Sequence, residues 1–465
     1  MHRTPFGPLL ERTQAHAVAW LDAQPERHVG ARAGREELLA ALRAPLPAQG
    51  EAEAAVIDLL AAQAARGAVA SGSPRYFGFV VGGSVPVALA ADWLVSAWDQ
   101  NAGIHALSPL ASVVEEIAGE WLLELFDLPR EARAGFVTGC QMANFTCLAA
   151  ARHALLARAG WDVEADGLAG APRINVVASA ESHVTIDIAL RYLGIGTRAL
   201  RRVDTDGQGR MRADRLEALL ATLEGPTIIC AQAGNVNTGA FDPLAGIGRL
   251  ARRHGAWLHV DAAFGLWARA SPSLRALADG IELADSWATD AHKWLNVPYD
   301  CGVAIVRHAE DHRAAMTTAA AYLIQTAGAE RDAVDWVPEF SRRARGIPVY
   351  ATLRALGRDG VADLVERCCA RARQIAGLLA AVDGVEVLNE VVLNQVLVRF
   401  GDDDASTRAV IAGVQQEGTC WLSGTTWHGL AAMRISLSNW ATTEADAARS
   451  AAAIAAEFAR LRDTP

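Results

Sequence analysis

From about residue 135 to 310, short apolar runs alternate with stretches of helical spacing, and that alternation restricts the fold more than any other feature of the chain. The runs RINVVAS (173–179), TRALRRV (197–203), PTIICAQAG (226–234), AWLHVDAA (256–263), DSWATD (285–290) and CGVAIVR (301–307) are predicted strands. Runs this short and this apolar need cover on both faces, which parallel strands joined by crossover helices provide. The connections carry helix signals. Asp214 followed by Glu217 resembles a capping box, and Asp242 before Pro243 puts proline at the first position of the helix PLAGIGRLARRHG. That helix keeps Leu244, Ile247, Leu250 and Ala251 on one face and stops at Gly255. The expectation is a mostly parallel α/β sheet.

The flanks read differently. Residues 1–75 form an expected helical arm, because REELLAALRAPL and EAEAAVIDLLAAQAARGAV repeat apolar positions every three or four residues. SGSPRYFGFVVGGSVP (71–86) breaks that pattern as a loop, without the spacing of a nucleotide-binding glycine motif. A large domain is expected over 76–345. After it, a helix at about 348–380 precedes the strands GVEVLNE, NQVLVRF and MRISLSNW, an expected small α+β domain over 346–465.

Charge and cysteine usage narrow the class. A net charge of −10 with no basic block argues against nucleic-acid binding, and Arg252, Arg253, Arg342 and Arg343 read as solvated helix faces. The seven cysteines lack metal-ligand spacing, and the adjacent pair Cys368 and Cys369 diverges on a helix, so reduced thiols in a cytoplasmic chain are expected. Neither a signal-peptide core nor an uncharged run of 18 residues occurs, so no membrane contact is expected.

The chemistry centres on DSWATDAHKWLNVPYDCG (285–302), where Lys293 stands between His292 and Trp294 in an otherwise small or apolar stretch. Lysine is seldom buried unless something neutralises it. Asp261 ends the strand WLHVD thirty-two residues earlier (293 − 261), and ligands on open α/β sheets collect at such strand ends. An acid and a lysine in one crevice make either a structural ion pair or a site for a third charged body. Pyridoxal phosphate is such a body: its aldehyde condenses with a lysine, its ring nitrogen needs an acid, and its phosphate suits a helix start. VTGCQMANFTCLAAARHALL supplies a glycine-led turn opening a helix, and SAESHVTIDIALRYLG puts His183 at a strand-to-helix junction, where it could stack on a flat ring.

Taken together, ESHVTIDIALRYLGIG, AGNVNTGAFDPL, WLHVDAAFG, DAHKWLNVPYDCG, TAAAYL and PEFSRRARGIPVYATLRALG resemble the landmarks of the group II pyridoxal-phosphate-dependent amino acid decarboxylases, across roughly residues 70–445. The resemblance implies a fold-type I large domain, a homodimer with shared active sites, and loss of CO2 from an L-amino acid, with an aromatic side chain favoured. It implies that Lys293 bonds the cofactor aldehyde, Asp261 faces the ring nitrogen, His183 stacks on the ring and Ala263 lies beneath it. A carboxylate about 4 Å from a pyridinium is worth roughly 4 kcal/mol at an effective dielectric near 20, enough to keep the ring protonated. His292 is implied to bind phosphate or substrate carboxylate, and Cys140 and Gln141 to complete the phosphate cup.

Three positions depart from the pattern or decide within it. The family often has Asn or Ser where Asp290 stands, and a carboxylate cannot donate to phosphate. Asp290 is therefore expected to cap a turn, with Asn235 and Asn237 either replacing it as donors or forming a plain turn. Tyr322, twenty-nine residues past Lys293 (322 − 293), falls where family decarboxylases carry a mobile-loop tyrosine that protonates the α-carbon; a phenylalanine there would favour an aldehyde synthase. In WDQNAGIHALSP (98–109), implied to reach the neighbouring subunit's pocket, Asn101, Gly103 and His105 replace bulkier groups, while Phe77, Phe79 and Trp98 remain for an aromatic slot. No pocket arginine stands out for acidic substrates. The rival enzyme is an aminotransferase in which Arg434 clamps the α-carboxylate, unless Arg434 is an exposed strand-end residue; a cofactor-free scaffold is the non-enzymatic rival.

Overall fold

The apolar runs pair edge to edge. A computed structural model describes residues 5–317 and 330–462, and seven of its strands form one sheet. These are β1 (Arg133–Val137), β2 (Asn175–Ser179), β3 (Leu200–Val203), β4 (Thr227–Gln232), β5 (Trp257–Asp261), β6 (Ser286–Asp290) and β7 (Gly302–Val306), in the order β1-β7-β6-β5-β4-β2-β3. The β2–β3, β2–β4, β4–β5 and β5–β6 pairs are parallel, and β7 runs antiparallel to both β6 and β1. All six expected strands form. The edge strand β1 was not foreseen, because RAGFV opens on a charge and carries a central glycine.

Helices α1 (Phe6–Ala23), α2 (Arg35–Leu42) and α3 (Glu53–Gly67) make the N-terminal arm, and none of their residues is fully buried. α4 (Pro86–Trp98) and α5 (Pro109–Phe126) each begin on proline and lead into β1. The sheet is then covered by α6 (Cys140–Arg158), the short α7 (Val163–Asp166), α8 (Val184–Tyr192), α9 (Ala213–Leu220), α10 (Leu244–Arg253) and α11 (Ala309–Met316). Two helix starts differ from expectation. α9 begins two residues earlier, with Arg212 at its N-cap, so Asp214 lies inside the first turn and Glu217 pairs with Arg253 instead of closing a box. α10 begins at Leu244 with Pro243 as its cap, because buried Asp242 turns away to accept the Met211 and Gln232 amides at 2.7 and 2.8 Å.

Strand alternation sorts the two cores. Leu258, Val260 and Trp287 join Ile247, Trp267 and Leu364 on one side of the sheet, while Trp257, Ala288 and Ala304 pack against Cys147, Leu148 and Ala151 of α6 on the other. Beyond the sheet, α12 (Gly346–Ala380) is interrupted at Gly357, where φ is +62°. A second, antiparallel sheet follows: β8 (Val385–Val387), β9 (Gln395–Phe400), β10 (Ser423–Trp427) and β11 (Leu430–Ser436), in the order β10-β11-β9-β8, with α13 (Asp404–Glu417) and α14 (Glu444–Arg462) upon it. Phe77 is buried in this C-terminal core, its amide bonded to the Trp421 carbonyl at 2.7 Å. Phe77 therefore does not line an aromatic slot.

Candidate active site

The carboxyl ends of β5 and β6 and the N-terminus of α6 meet at a cavity of about 430 Å³ whose lining includes Cys140, His183, Asp261, Asp290, Lys293 and Arg434. Gln141, Ala263 and His292 lie on its wall as well. The close approach of α6 depends on glycine: a Cβ on Gly302 of β7 would overlap the backbone of Gly139. A Cβ on Gly82 would likewise overlap the Lys293 carbonyl.

Lys293 is neutralised by a group other than the one first expected. Its Nζ lies 2.9 Å from Asp290 Oδ2, while Asp290 Oδ1 accepts the Cys140 amide at 2.6 Å. Asp290 thus caps the first turn of α6 and, beyond the turn cap expected of it, serves as the lysine's counter-ion. Burial pulls the Lys293 pKa down, but the charge and hydrogen bond of Asp290, joined by the neighbouring Cys140 and Asp261, leave the pKa raised. Burial lowers the pKa of His292, whose Nδ1 accepts the Cys301 amide at 3.0 Å and whose ring stacks on Tyr299 at 4.2 Å. Three residues past the lysine, buried Asn296 (φ +55°) donates from Nδ2 to the Ser438 carbonyl at 2.9 Å, accepts the Trp440 amide at 3.0 Å, and its own carbonyl accepts the Val85 amide at 2.8 Å.

Asp261 sits in a buried polar network. Asn144 Nδ2 donates to Asp261 Oδ2 at 3.2 Å and to Thr185 Oγ1 at 3.1 Å, and Asn144 Oδ1 lies 2.9 Å from His259 Nε2. His259 Nδ1 lies 3.0 Å from Ser286 Oγ, which accepts the Trp257 indole N–H at 2.9 Å. Burial lowers the His259 pKa to about 4, so the ring is neutral. His183 caps α8, with Thr185 Oγ1 2.9 Å from its Nδ1, and its pKa is lowered, again chiefly by burial. Period-2 alternation was the signal that could have found this set: Trp257, His259 and Asp261 share one face of β5, and Ser286 and Asp290 share the same face of β6.

Other expected residues lie elsewhere or take other roles. Asn235 is not on the cavity wall; its Oδ1 accepts the Asn237 and Thr238 amides at 2.8 and 3.2 Å, forming a turn. Asn101 accepts the Gly103 and Arg342 amides, and the His105 amide bonds Asp332. Phe79 lines the cavity, whereas Trp98 ends α4 in an exposed position. Tyr322 lies outside the described residues. Arg434 stands in mid-strand on β11 and lines the cavity, not at an exposed strand end; among the described residues its guanidinium has no hydrogen-bond or ion-pair partner, and burial lowers its pKa.

This donor set fits pyridoxal phosphate: an amine in Lys293, a carboxylate in Asp261 and a flat ring in His183 face one space, with the α6 start beyond the Cys140 amide, which Asp290 already takes, and the unpartnered Arg434 for anions. Fold and site together define a pyridoxal-phosphate class protein. The chain belongs to the pyridoxal-dependent decarboxylase conserved-domain family, whose model matches residues 36–400. It is 32% identical over 330 residues to the acidic amino acid decarboxylase GADL1 of Mus musculus, covering 69% of this chain and 59% of that protein. It is 30% identical over 411 residues to the L-2,4-diaminobutyrate decarboxylase of Rhizobium meliloti (strain 1021), covering 85% of this chain and 80% of that one. The chain spans about three fifths of the length of the GADL1 relatives it matches. In fold it resembles the Oryza sativa TDC crystallised with PLP and tryptamine, with a TM-score of 0.91 at 23% identity over 98% of this chain and 97% of that one. Mouse CSAD is similar too, at 0.88 and 25% over 97% and 98%.

Proposed function

We propose that the protein decarboxylates an L-amino acid to its amine and CO2, using pyridoxal phosphate bonded to Lys293. The observation that carries this reading is the facing of Lys293 and Asp261 across one cavity at the start of α6. When bound, the cofactor supplies an aldehyde for amine exchange and a conjugated ring that takes up the electrons released at the α-carbon. Lys293 would hold it through its amine. Asp261 is the acceptor for the proton on the ring nitrogen, and His183 covers the ring face. Tyr322 is the candidate proton donor to the α-carbon.

An aromatic side chain is the substrate class we favour. Phe79, Val80, Val236 and Phe264 give the cavity apolar walls, and Arg434 is the cavity cation, among the described residues, that no acid already engages. If Arg434 receives the α-carboxylate present in every amino acid, the contact the rival aminotransferase would also use, no second arginine is left there for an acidic side chain, and keto acid formation separates the two enzymes. The unpaired guanidinium also supports a second reading, in which it takes a side-chain carboxylate, as the activity in the name of the GADL1 relatives suggests. We further propose a homodimer that shares its sites, because Trp93, Leu94, Trp98, Leu107 and Leu110 leave an apolar surface beside the 98–109 loop.

The test is a panel of the twenty L-amino acids with product detection by mass spectrometry, without keto acid acceptor. Amine and CO2 from an aromatic substrate, with borohydride labelling of Lys293, are expected. Keto acid formation would indicate transamination, aspartate turnover would favour the second reading, and a label at another peptide would refute the assignment.

A further inference from the structure

The network behind Asp261 has a direction that its donors and acceptors impose. An indole N–H can only donate, so Trp257 fills an acceptor site of Ser286 Oγ. Both hydrogens of Asn144 Nδ2 are spent on Asp261 and Thr185, so Asn144 Oδ1 must accept from His259, which therefore carries its proton on Nε2. His259 Nδ1 is left an acceptor, and the Ser286 hydroxyl proton goes to it. At the other end, the Thr185 amide donates to His183 Nδ1 at 3.4 Å, which makes that nitrogen an acceptor. The Thr185 hydroxyl, 2.9 Å away, therefore gives its proton to Nδ1 while its oxygen receives the Asn144 N–H. His183 is thereby assigned the tautomer with hydrogen on Nε2.

We infer that Asn144, steered by His259, is a positioning residue that acts on two cavity groups at once: it aims one N–H at the Asp261 carboxylate and, by filling one acceptor site of Thr185 Oγ1, helps orient the hydroxyl that donates to His183 Nδ1 and so supports its Nε2–H tautomer. Neither Asn144 nor His259 lines the cavity, and both are fully buried. Their effect is therefore exerted through Asp261 and His183. Without the His259 donor, the Asn144 amide is free to turn its oxygen toward Asp261, which would oppose two acceptors and release Thr185 from its role. A glutamine at 259 offers an N–H to Asn144 and an acceptor to Ser286, so it can keep the direction; a leucine cannot.

The inference rests on the proposed use of Asp261 and His183, and its test separates the two claims. Nitrogen-15 NMR of histidine-labelled protein without cofactor reads the tautomers directly. Wild type and His259→Gln should show His183 protonated on Nε2, and Asn144→Leu should show a mixed or reversed tautomer. With ¹⁵N-labelled pyridoxal phosphate bound, His259→Leu should shift the ring-nitrogen resonance and lower kcat by up to about a hundredfold with little change in KM, as displacement of a supporting group does, while His259→Gln stays near wild type. A wild-type His183 protonated on Nδ1, or resonances identical in the folded Leu and Gln variants, would overturn the inference. If wild type fails to bind pyridoxal phosphate while the tautomers are as assigned, the proposed function fails and the network stands.

Discussion

Replacing Asp290 with asparagine should make Lys293 a free amine at lower pH. Two charges 2.9 Å apart interact by about 6 kcal/mol at an effective dielectric near 20, a ceiling of about four pH units on the lysine midpoint. Asparagine retains a neutral hydrogen bond worth about 1 kcal/mol, so a fall of no more than about 3.7 pH units is expected. The sign follows from the balance of causes: burial lowers the Lys293 pKa and Asp290 is the foremost group raising it, so removing the carboxylate shifts the balance toward burial. The assay is borohydride trapping of pyridoxal on Lys293 across pH, quantified by peptide mass spectrometry. Pyridoxal lacks the phosphate, so the readout senses the amine and not the anion seat at α6. A midpoint in Asp290→Asn equal to or above wild type would refute the assignment of Asp290 as the counter-ion.

Burial holds His259 at a pKa of about 4 and His312 at about 3, both depressed from 6.5. Their stabilisation is complete above about pH 6.5 and is lost as pH falls toward 4, with His259 contributing about 3 kcal/mol. Urea midpoints measured at pH 7.5 and 4.5 should diverge accordingly, and less so in His312→Gln. Gly82→Ala should push the Lys293 backbone out of place, so we expect a lower melting temperature and loss of the borohydride label together; retention of both would count against the packing described. Arg434→Gln should raise KM by about tenfold to a hundredfold, the worth of a charge-assisted bond, with kcat changed less. Arg342→Met should cost about 3–5 kcal/mol in chemical denaturation by stranding Glu115, since Arg342 Nη1 donates to its Oε2 at 2.9 Å in a fully buried pair.

Local pattern was enough to place Lys293 and Asp261 at adjacent strand ends, because each lies at the end of or just past an apolar run whose length and spacing are written in consecutive residues. It was also enough for His183, which marks a helix start. What failed was whatever depends on side-chain direction across long separations. Asn144 meets Asp261 from 117 residues away, and the Asp290 carboxylate meets Cys140 from 150 residues away. Arg434 illustrates the same limit: alternation along MRISLSNW does not say which face of β11 borders the other domain's cavity. Phe77 was misplaced because a loop signal from glycines and prolines cannot reveal that the segment threads into the C-terminal core.

Asn296, three residues past Lys293, ties its loop to two other stretches of chain, 438–440 and Val85. The C-terminal lobe is therefore tied by hydrogen bonds to the loop that carries Lys293. Any rocking of that lobe which preserves the bonds to Ser438 and Trp440 must carry the lysine loop with it, and any rocking which does not must first break them. Grafting a foreign C-terminal lobe onto this sheet would thus replace part of the scaffold that seats the amine, even though no residue of the catalytic set had been changed.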